Sequence, residues 1–274
     1  MNRRDFLKTA GGVLGAAAVI GPGLLVPKKS SATQTGAAQA TRRLVINFDD
    51  GYSSQLTLAV PALISRGLTA TIFPVTGRIG VEPGYMAPAD IRYLKDAGFP
   101  IQNHTRNHSS LIKLTKAKVI AEVSNAAIDL QSMGIMAVPG VVAYPFGDVN
   151  PTVIKYLQGT KWVVGGRGIG GLGAPYNFLP DDFDRWNLNA VSVHSDTSTT
   201  DYLSAIQNMP ENSVLILVWH EICLASPPDE YSFVLDELKK ILDLIANLRD
   251  SGFLNVINMV QAVEYLYRRQ MGLQ

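Results

Sequence analysis

Two adjacent carboxylates, Asp49 and Asp50, follow the apolar run Leu44-Val45-Ile46-Asn47-Phe48 and precede Gly51-Tyr52. Like charges at the end of a buried strand repel, and one of the two should hold its proton unless a cation sits beside it. A metal ion resolves the conflict, one aspartate serving as ligand and its neighbour as a base; an Asp-Gly turn is the plainer alternative. A second group is His104-Thr105-Arg106-Asn107-His108, which takes two of the chain's 4 histidines. Histidines four apart share one face of a helical turn and can hold one ion. With Asp50 they make an Asp-His-His set with open positions, the pattern of a catalytic rather than a structural metal site. A third group, Ala143-Tyr144-Pro145-Phe146-Gly147, ends a predicted strand in a turn able to aim a backbone N–H at a bound oxygen. His220 closes the run Leu215-Ile216-Leu217-Val218-Trp219 and stands either at a pocket rim or as a capped core histidine.

Positioning these groups falls to alternating strands and helices. Strands are predicted over 44–48, 69–73, 99–102, 137–143, 161–164, 214–218 and 254–257, from short apolar and β-branched runs. Helical spacing covers 54–66 (in two pieces or kinked at Pro61), 88–97, 115–133, 151–157, 231–249 and 260–269. The Gly-rich stretch Gly165–Leu179 reads as a long loop over one face. Such alternation argues for a parallel sheet, and seven or eight units fit a barrel better than a two-sided sheet. All four polar groups then fall at C-terminal strand ends, where α/β enzymes place their sites.

A chain of 274 residues, 47% hydrophobic and 17% charged, is globular. The first forty residues read as an export leader. Asn2-Arg3-Arg4-Asp5-Phe6-Leu7-Lys8 forms a basic end, 11–26 is an apolar run rich in Gly and Ala, and Ala38-Gln39-Ala40 is a cleavage site. The paired arginines resemble a twin-arginine signal. The expected division is therefore a signal peptide over 1–40 and one catalytic domain over 41–274, touching a membrane only in transit. Residues 41–274 hold 19 Lys/Arg against 22 Asp/Glu, which gives no electrostatic footprint for nucleic acid. The single cysteine, Cys223, cannot form an internal disulfide and reads as a buried apolar thiol. Trp162, Trp186 and Trp219 read as core packing.

Taken in order, FDDG, HxxxH, PFG and a strand-ending Val-Trp-His resemble the polysaccharide deacetylase family, with its NodB-homology domain of carbohydrate esterase family 4. The likeness runs from Leu44 to Met259. It implies an α/β fold, a distorted (β/α) barrel with seven or eight parallel strands. Carried over position by position, it implies Asp49 as general base, Asp50, His104 and His108 as ligands of a divalent metal, and His220 as general acid. The Phe146 N–H would serve the oxyanion, with Tyr144 beside it in the turn. Zinc is the default by ligand type, with cobalt, nickel or iron also suited to such a set.

Two positions depart from the family pattern. Its third motif opens with an arginine that orients the base, and here that position is Ala143. Relatives acting on secreted exopolysaccharides often lack it, and FDDGY with YPFG is closer to them. Arg106, Arg167 and Arg185 are the candidate replacements. The Asp-x-x-Asp-Trp that tunes the acid histidine is matched only loosely by Asp184-Arg185-Trp186, and His194 and Asp196 read as structural. The resemblance implies hydrolysis of N-acetyl groups on an amino-sugar polymer: chitin-like chains, peptidoglycan or poly-N-acetylglucosamine. Two other readings are a hydrolase of small amides or cyclic imides on the same scaffold, and a carbohydrate-binding relative without catalysis.

Overall fold

The computed structural model describes residues 41–135, 139–178 and 184–271. The leader and the start of the strand predicted from Ala137 lie outside them. The strands are β1 (Arg42–Asp50), β2 (Thr71–Pro74), β3 (Gly140–Ala143), β4 (Val163–Arg167), β5 (Tyr176–Asn177), β6 (Val191–Ser192), β7 (Val214–Trp219), β8 (Glu221–Cys223), β9 (Ser232–Val234) and β10 (Leu254–Val256). The helices are α1 (Val60–Ile64), α2 (Pro88–Asp96), α3 (Lys116–Ser132), α4 (Pro151–Gln158), α5 (Thr199–Gln207), α6 (Leu235–Asp250) and α7 (Met259–Gln270). None of the described helices is long and apolar enough to cross a membrane.

Parallel pairing runs around a ring. β1 pairs with β2 and β7, and β7 with β6. Single bridges close the rest: Ile72 to Ile101, Asn103 to Val142 on β3, and Arg167 on β4 to Leu188, just ahead of β6. β3 and β4 form their own parallel ladder. Among the described residues the circuit therefore passes through seven strand positions, one of them (101–103) held by bridges alone, which is a distorted (β/α) barrel. β10 extends the N-terminal half of β1, and β5 runs antiparallel beside β7.

The strand period of two sorts side chains between two cores. Leu44, Ile46 and Phe48 of β1 join the large cluster under α1, α2, α5 and α6. Val45 instead joins Phe73, Val141, Ala143, Leu188, Ala190, Ile216 and Val218, one set from each quarter of the ring, packed on Met259, Ala262 and Val263 of α7. Asn47 and Asp49 continue the Val45 face, so the same alternation that buries valine carries the first aspartate inward. Trp186 and Trp219 are core residues as expected, and Trp162 packs at a cluster edge. Cys223 is half-buried rather than buried.

Three local readings need correction. The stretch read as a structureless Gly-rich loop contains the last three residues of β4 and all of β5; Gly165, Gly166, Gly168 and Gly170 are demanded by packing, whereas Gly171 turns left-handed (φ 73). Gly166 lies against the ring and hydroxyl of Tyr144, which fill the volume a Cβ would need. The helix predicted from Tyr231 begins only at Leu235, and Ser232–Val234 ahead of it form β9, paired in parallel with β8. The 54–66 helix comes in two pieces, as expected: a π-helical turn, Gln55–Ala59, runs directly into α1, which holds Pro61. The strand predicted over 99–102 survives only as bridges at Ile101 and Asn103.

Because Tyr144 is held by donating from its hydroxyl to the Trp186 carbonyl at 2.7 Å, it cannot retreat. Gly166→Ala should therefore cost about 1–3 kcal/mol as an overpacked core site. Urea unfolding checks this; an unchanged midpoint would sink it.

Candidate active site

β1 delivers Asp49 and Asp50 at its C-terminal end, where the chain turns left-handed at Asp50 (φ 69). His104 and His108 come from the segment after the Asn103 bridge. That segment is not the helical turn expected from their spacing: Thr105 (φ 65) and His108 (φ 57) are both left-handed. Side chains of the surrounding elements hold it instead. Asn103 donates to the Val123 carbonyl on α3 (2.9 Å) and accepts from the Thr105 N–H (2.8 Å). Glu122 of α3 accepts from both the backbone N–H (2.9 Å) and the side-chain amide (2.7 Å) of Asn107. Asn103 and Glu122 support the site and went unnoticed in the sequence; a glutamate on the buried face of the 115–133 helix was the available signal.

Asp50, His104 and His108 offer ligand atoms that all lie within 4.8 Å of one another. Asp50 Oδ1 is 3.6 Å from His104 Nε2 and 3.5 Å from His108 Nε2. His104 Nδ1 lies 3.0 Å from the Ala143 carbonyl oxygen. A carbonyl only accepts, so Nδ1 carries the proton and the Nε2 lone pair faces the aspartates. His108 is pushed down to about 4, by burial first and by His104 next, which leaves the neutral imidazole a metal requires. Asp50 Oδ1 is buried with no hydrogen-bond partner among the described residues. An orphaned carboxylate oxygen between two imidazoles is costly unless a cation completes it, so the donor set fits a divalent ion.

Asp49 does not share that role. Fully buried Arg167, at the end of β4, places Nη2 2.7 Å from Asp49 Oδ1 and 2.5 Å from Oδ2. Burial alone would raise the Asp49 carboxyl; Arg167, with His104 and His220, outweighs it and holds the group below the usual carboxylate range. Arg167 is the cross-strand partner of Ala143 in the β3–β4 register. The arginine expected at Ala143 thus arrives from the neighbouring strand. The other two candidates are engaged elsewhere: Arg106 reaches Asp129 at 3.3 Å, and Arg185 lies over Tyr267 and Trp186.

His220 follows β7 and is half-buried. Burial lowers its pKa, against the opposing pull of Asp49 and Asp50, and its Nδ1 has no partner among the described residues. Among the described residues no carboxylate is hydrogen-bonded to that nitrogen, in keeping with the loosely matched Asp184-Arg185-Trp186. The Tyr231 ring stands 5.3 Å from it and is 45% exposed. Phe146 is also left-handed (φ 62), is 66% exposed, and sets its ring 4.6 Å from that of His108. Four of the five described non-glycine residues with positive φ, namely Asp50, Thr105, His108 and Phe146, therefore lie in or beside this site, where such conformations persist only under tight constraint. Tyr144 does not line the site: its side chain is buried in the β3–β4 core. His194, Asp196 and Glu230 form a second, mostly exposed group, in which His194 is bonded to Ser192 at 2.8 Å.

Residues 36–163 match the family model for polysaccharide deacetylases. Residues 1–21 match the signal sequence of the twin-arginine translocation pathway, so the chain carries an export signal of that route. The protein YxkH of Bacillus subtilis (strain 168), whose name carries the same family, is 28% identical over 142 residues, 52% of this chain and 50% of that one. The chain thus spans about half the length of this curated relative. Two solved structures share the fold. A family 4 carbohydrate esterase from Streptomyces lividans, in complex with acetate, superposes with TM-score 0.52 at 20% identity, covering 78% of this chain and 91% of that one. A family 4 acetyl xylan esterase from Clostridium thermocellum, in complex with a cobalt ion, does so with TM-score 0.54 at 17% identity, covering 85% and 93%. Residues 36–163 are thus similar to polysaccharide deacetylases, and the chain shares the barrel fold of solved family 4 carbohydrate esterases.

Proposed function

We propose that the protein is an exported, metal-dependent deacetylase that hydrolyses N-acetyl groups on an amino-sugar polymer, with its catalytic domain over 41–274 released by cleavage after Ala40. The observation that carries this reading is the division of labour at the end of β1: Asp49 is neutralised by Arg167, while Asp50 faces two imidazoles with an unpartnered oxygen. A base and a ligand side by side are what amide hydrolysis needs. Asp50, His104 and His108 would hold the divalent ion, zinc by ligand type, which supplies Lewis acidity to the acetamide carbonyl and lowers the pKa of water. The cobalt in the Clostridium thermocellum structure accords with such a set.

Asp49, ionised through the neutral range, accepts the water proton on its carboxylate as the C–O bond forms. Arg167 keeps the charge of Asp49 fixed without competing for the proton. The Phe146 N–H donates to the developing oxyanion. His220 gives a proton to the amine nitrogen as the C–N bond breaks, leaving acetate and a free amino sugar. The exposed rings of Phe146 and Tyr231, set against His108 and His220, favour an open approach by a chain over a closed pocket for a small amide.

The test is acetate release by the zinc-loaded full chain from N-acetylglucosamine oligomers, peptidoglycan and acetylxylan. Release from the amide substrates is expected to fall by about 10²–10⁴-fold in Asp49→Asn and comparably in His104→Ala. Release from acetylxylan alone would make the protein an esterase. No release from any of the three, with metal bound, would favour the small-amide reading.

A further inference from the structure

The parallel ladder between β1 and β7 ends at the pair Phe48 and Trp219. The next residue on each strand is the proposed base, Asp49, and the proposed acid, His220. Beyond the ladder's end nothing in the strand pattern fixes their separation, and one side chain takes over. Gln55, fully buried in the π-helical turn after β1, donates from Nε2 to the Asp49 carbonyl at 2.5 Å and to the His220 carbonyl at 2.9 Å. An amide nitrogen has two N–H groups, one for each carbonyl, so Gln55 acts as an added rung. Its Oε1 is buried without a partner among the described residues. That is a cost an apolar side chain of similar shape would avoid. Ser54 ties the same two segments a second time, its Oγ accepting the Ile222 N–H at 3.0 Å. Gln55 opens a π-helical turn and Ser54 caps it, a feature that often marks a functional position.

We infer that Gln55 is a positioning residue that sets the spacing between the base Asp49 and the acid His220. The inference rests on the roles proposed above for that pair. Displacing reacting groups by about 1 Å can cost about 10²-fold. Gln55→Met, which keeps the volume and removes both donors, is therefore expected to lower kcat by about 10- to 100-fold with KM within about twofold and zinc content unchanged.

A second readout does not need turnover. The chain has 4 histidines, so the His220 ring can be followed by NMR and assigned by its loss in His220→Gln. In Gln55→Met that resonance should shift and broaden while those of His104 and His108 hold. Should Gln55→Met fail to fold, Ser54→Ala removes the second tie alone and is expected to give a smaller fall in kcat with the same displaced His220 line. Unmoved His220 resonances in the folded variants overturn the inference. If the wild type releases no acetate but the line still moves, the positioning stands and the proposed activity fails.

Discussion

Arg167→Met is expected to destabilise the protein by about 3–5 kcal/mol, the usual cost of removing one partner of a buried ion pair. The wild-type pair is closed to water, with Arg167 fully buried and Asp49 2% exposed. Methionine fills the volume but leaves a carboxylate facing the Phe73 ring that Arg167 now covers at 5.3 Å. The sign with pH follows from Asp49, whose folded value lies below its unfolded one. The stabilisation it contributes is fully present above the unfolded value of about 4 and is lost as pH falls through the folded one. Urea unfolding should therefore give a gap between wild type and variant that is widest at high pH, where Asp49 is ionised in both, and that narrows as pH falls, first as the unpaired carboxyl of the variant takes up its proton and further below about pH 4. The acid limb of the activity profile should also move upward, because the base no longer has a cation to hold off its proton. Equal stability at pH 7, or an unmoved limb, would show that Asp49 draws its charge balance from elsewhere. Arg167→Lys should recover part of the stability, since an ammonium keeps the positive charge but not the fixed placement of Nη2 between both oxygens.

Asp50→Asn is expected to separate metal binding from folding. Asparagine tolerates the left-handed backbone at this position, so the loop should keep its shape. Outer-sphere partners of metal ligands carry about 10–100-fold in affinity, and loss of a direct carboxylate ligand should exceed that, with zinc content by mass analysis falling to near zero after dialysis. Acetate release should fall with it. In metal-free protein the same change removes an orphaned buried charge, so the melting temperature of the apo variant should equal or exceed that of the apo wild type. At zinc concentrations near 100 times the wild-type dissociation constant, the wild type should gain about 2.7 kcal/mol that the variant lacks. An apo variant much less stable than apo wild type would mean that Asp50 is a structural residue rather than a ligand.

The candidate metal site was legible because chemistry concentrates there: adjacent carboxylates and paired histidines in a chain with 4 histidines stand out at short range. The route to that cluster was not. Spacing of four suggested a helical turn for His104 and His108, yet the segment is held by Asn103 and Glu122 through contacts that cross from one strand end to α3. Arg167 could not be ranked above Arg106 or Arg185 because its role depends on the β3–β4 register, which no local pattern reports. The Gly-rich run hid the end of β4 for a related reason. Gly165 and Gly166 lack side chains because Val263 and Arg185 crowd one and Tyr144 the other, and a strand without side chains shows no periodicity. At Tyr231, a helical pattern that is real from Leu235 onward was extended backward over a short strand.

The register that sets Arg167 opposite Ala143 bears on how such proteins can be found and altered. Neighbouring strands lie about 4.8 Å apart, less than the length of an arginine side chain, so a guanidinium can reach one point inside the ring from either strand. A functional charge here is a location with two addresses in the gene. A chain that loses the arginine at one address keeps its chemistry if the other is filled first, and intermediates carrying both are passable steps. Searches that require an arginine before the Pro-Phe-Gly turn will discard such chains as inactive. Those that instead ask for an arginine at the register-paired position of the next strand will retain them.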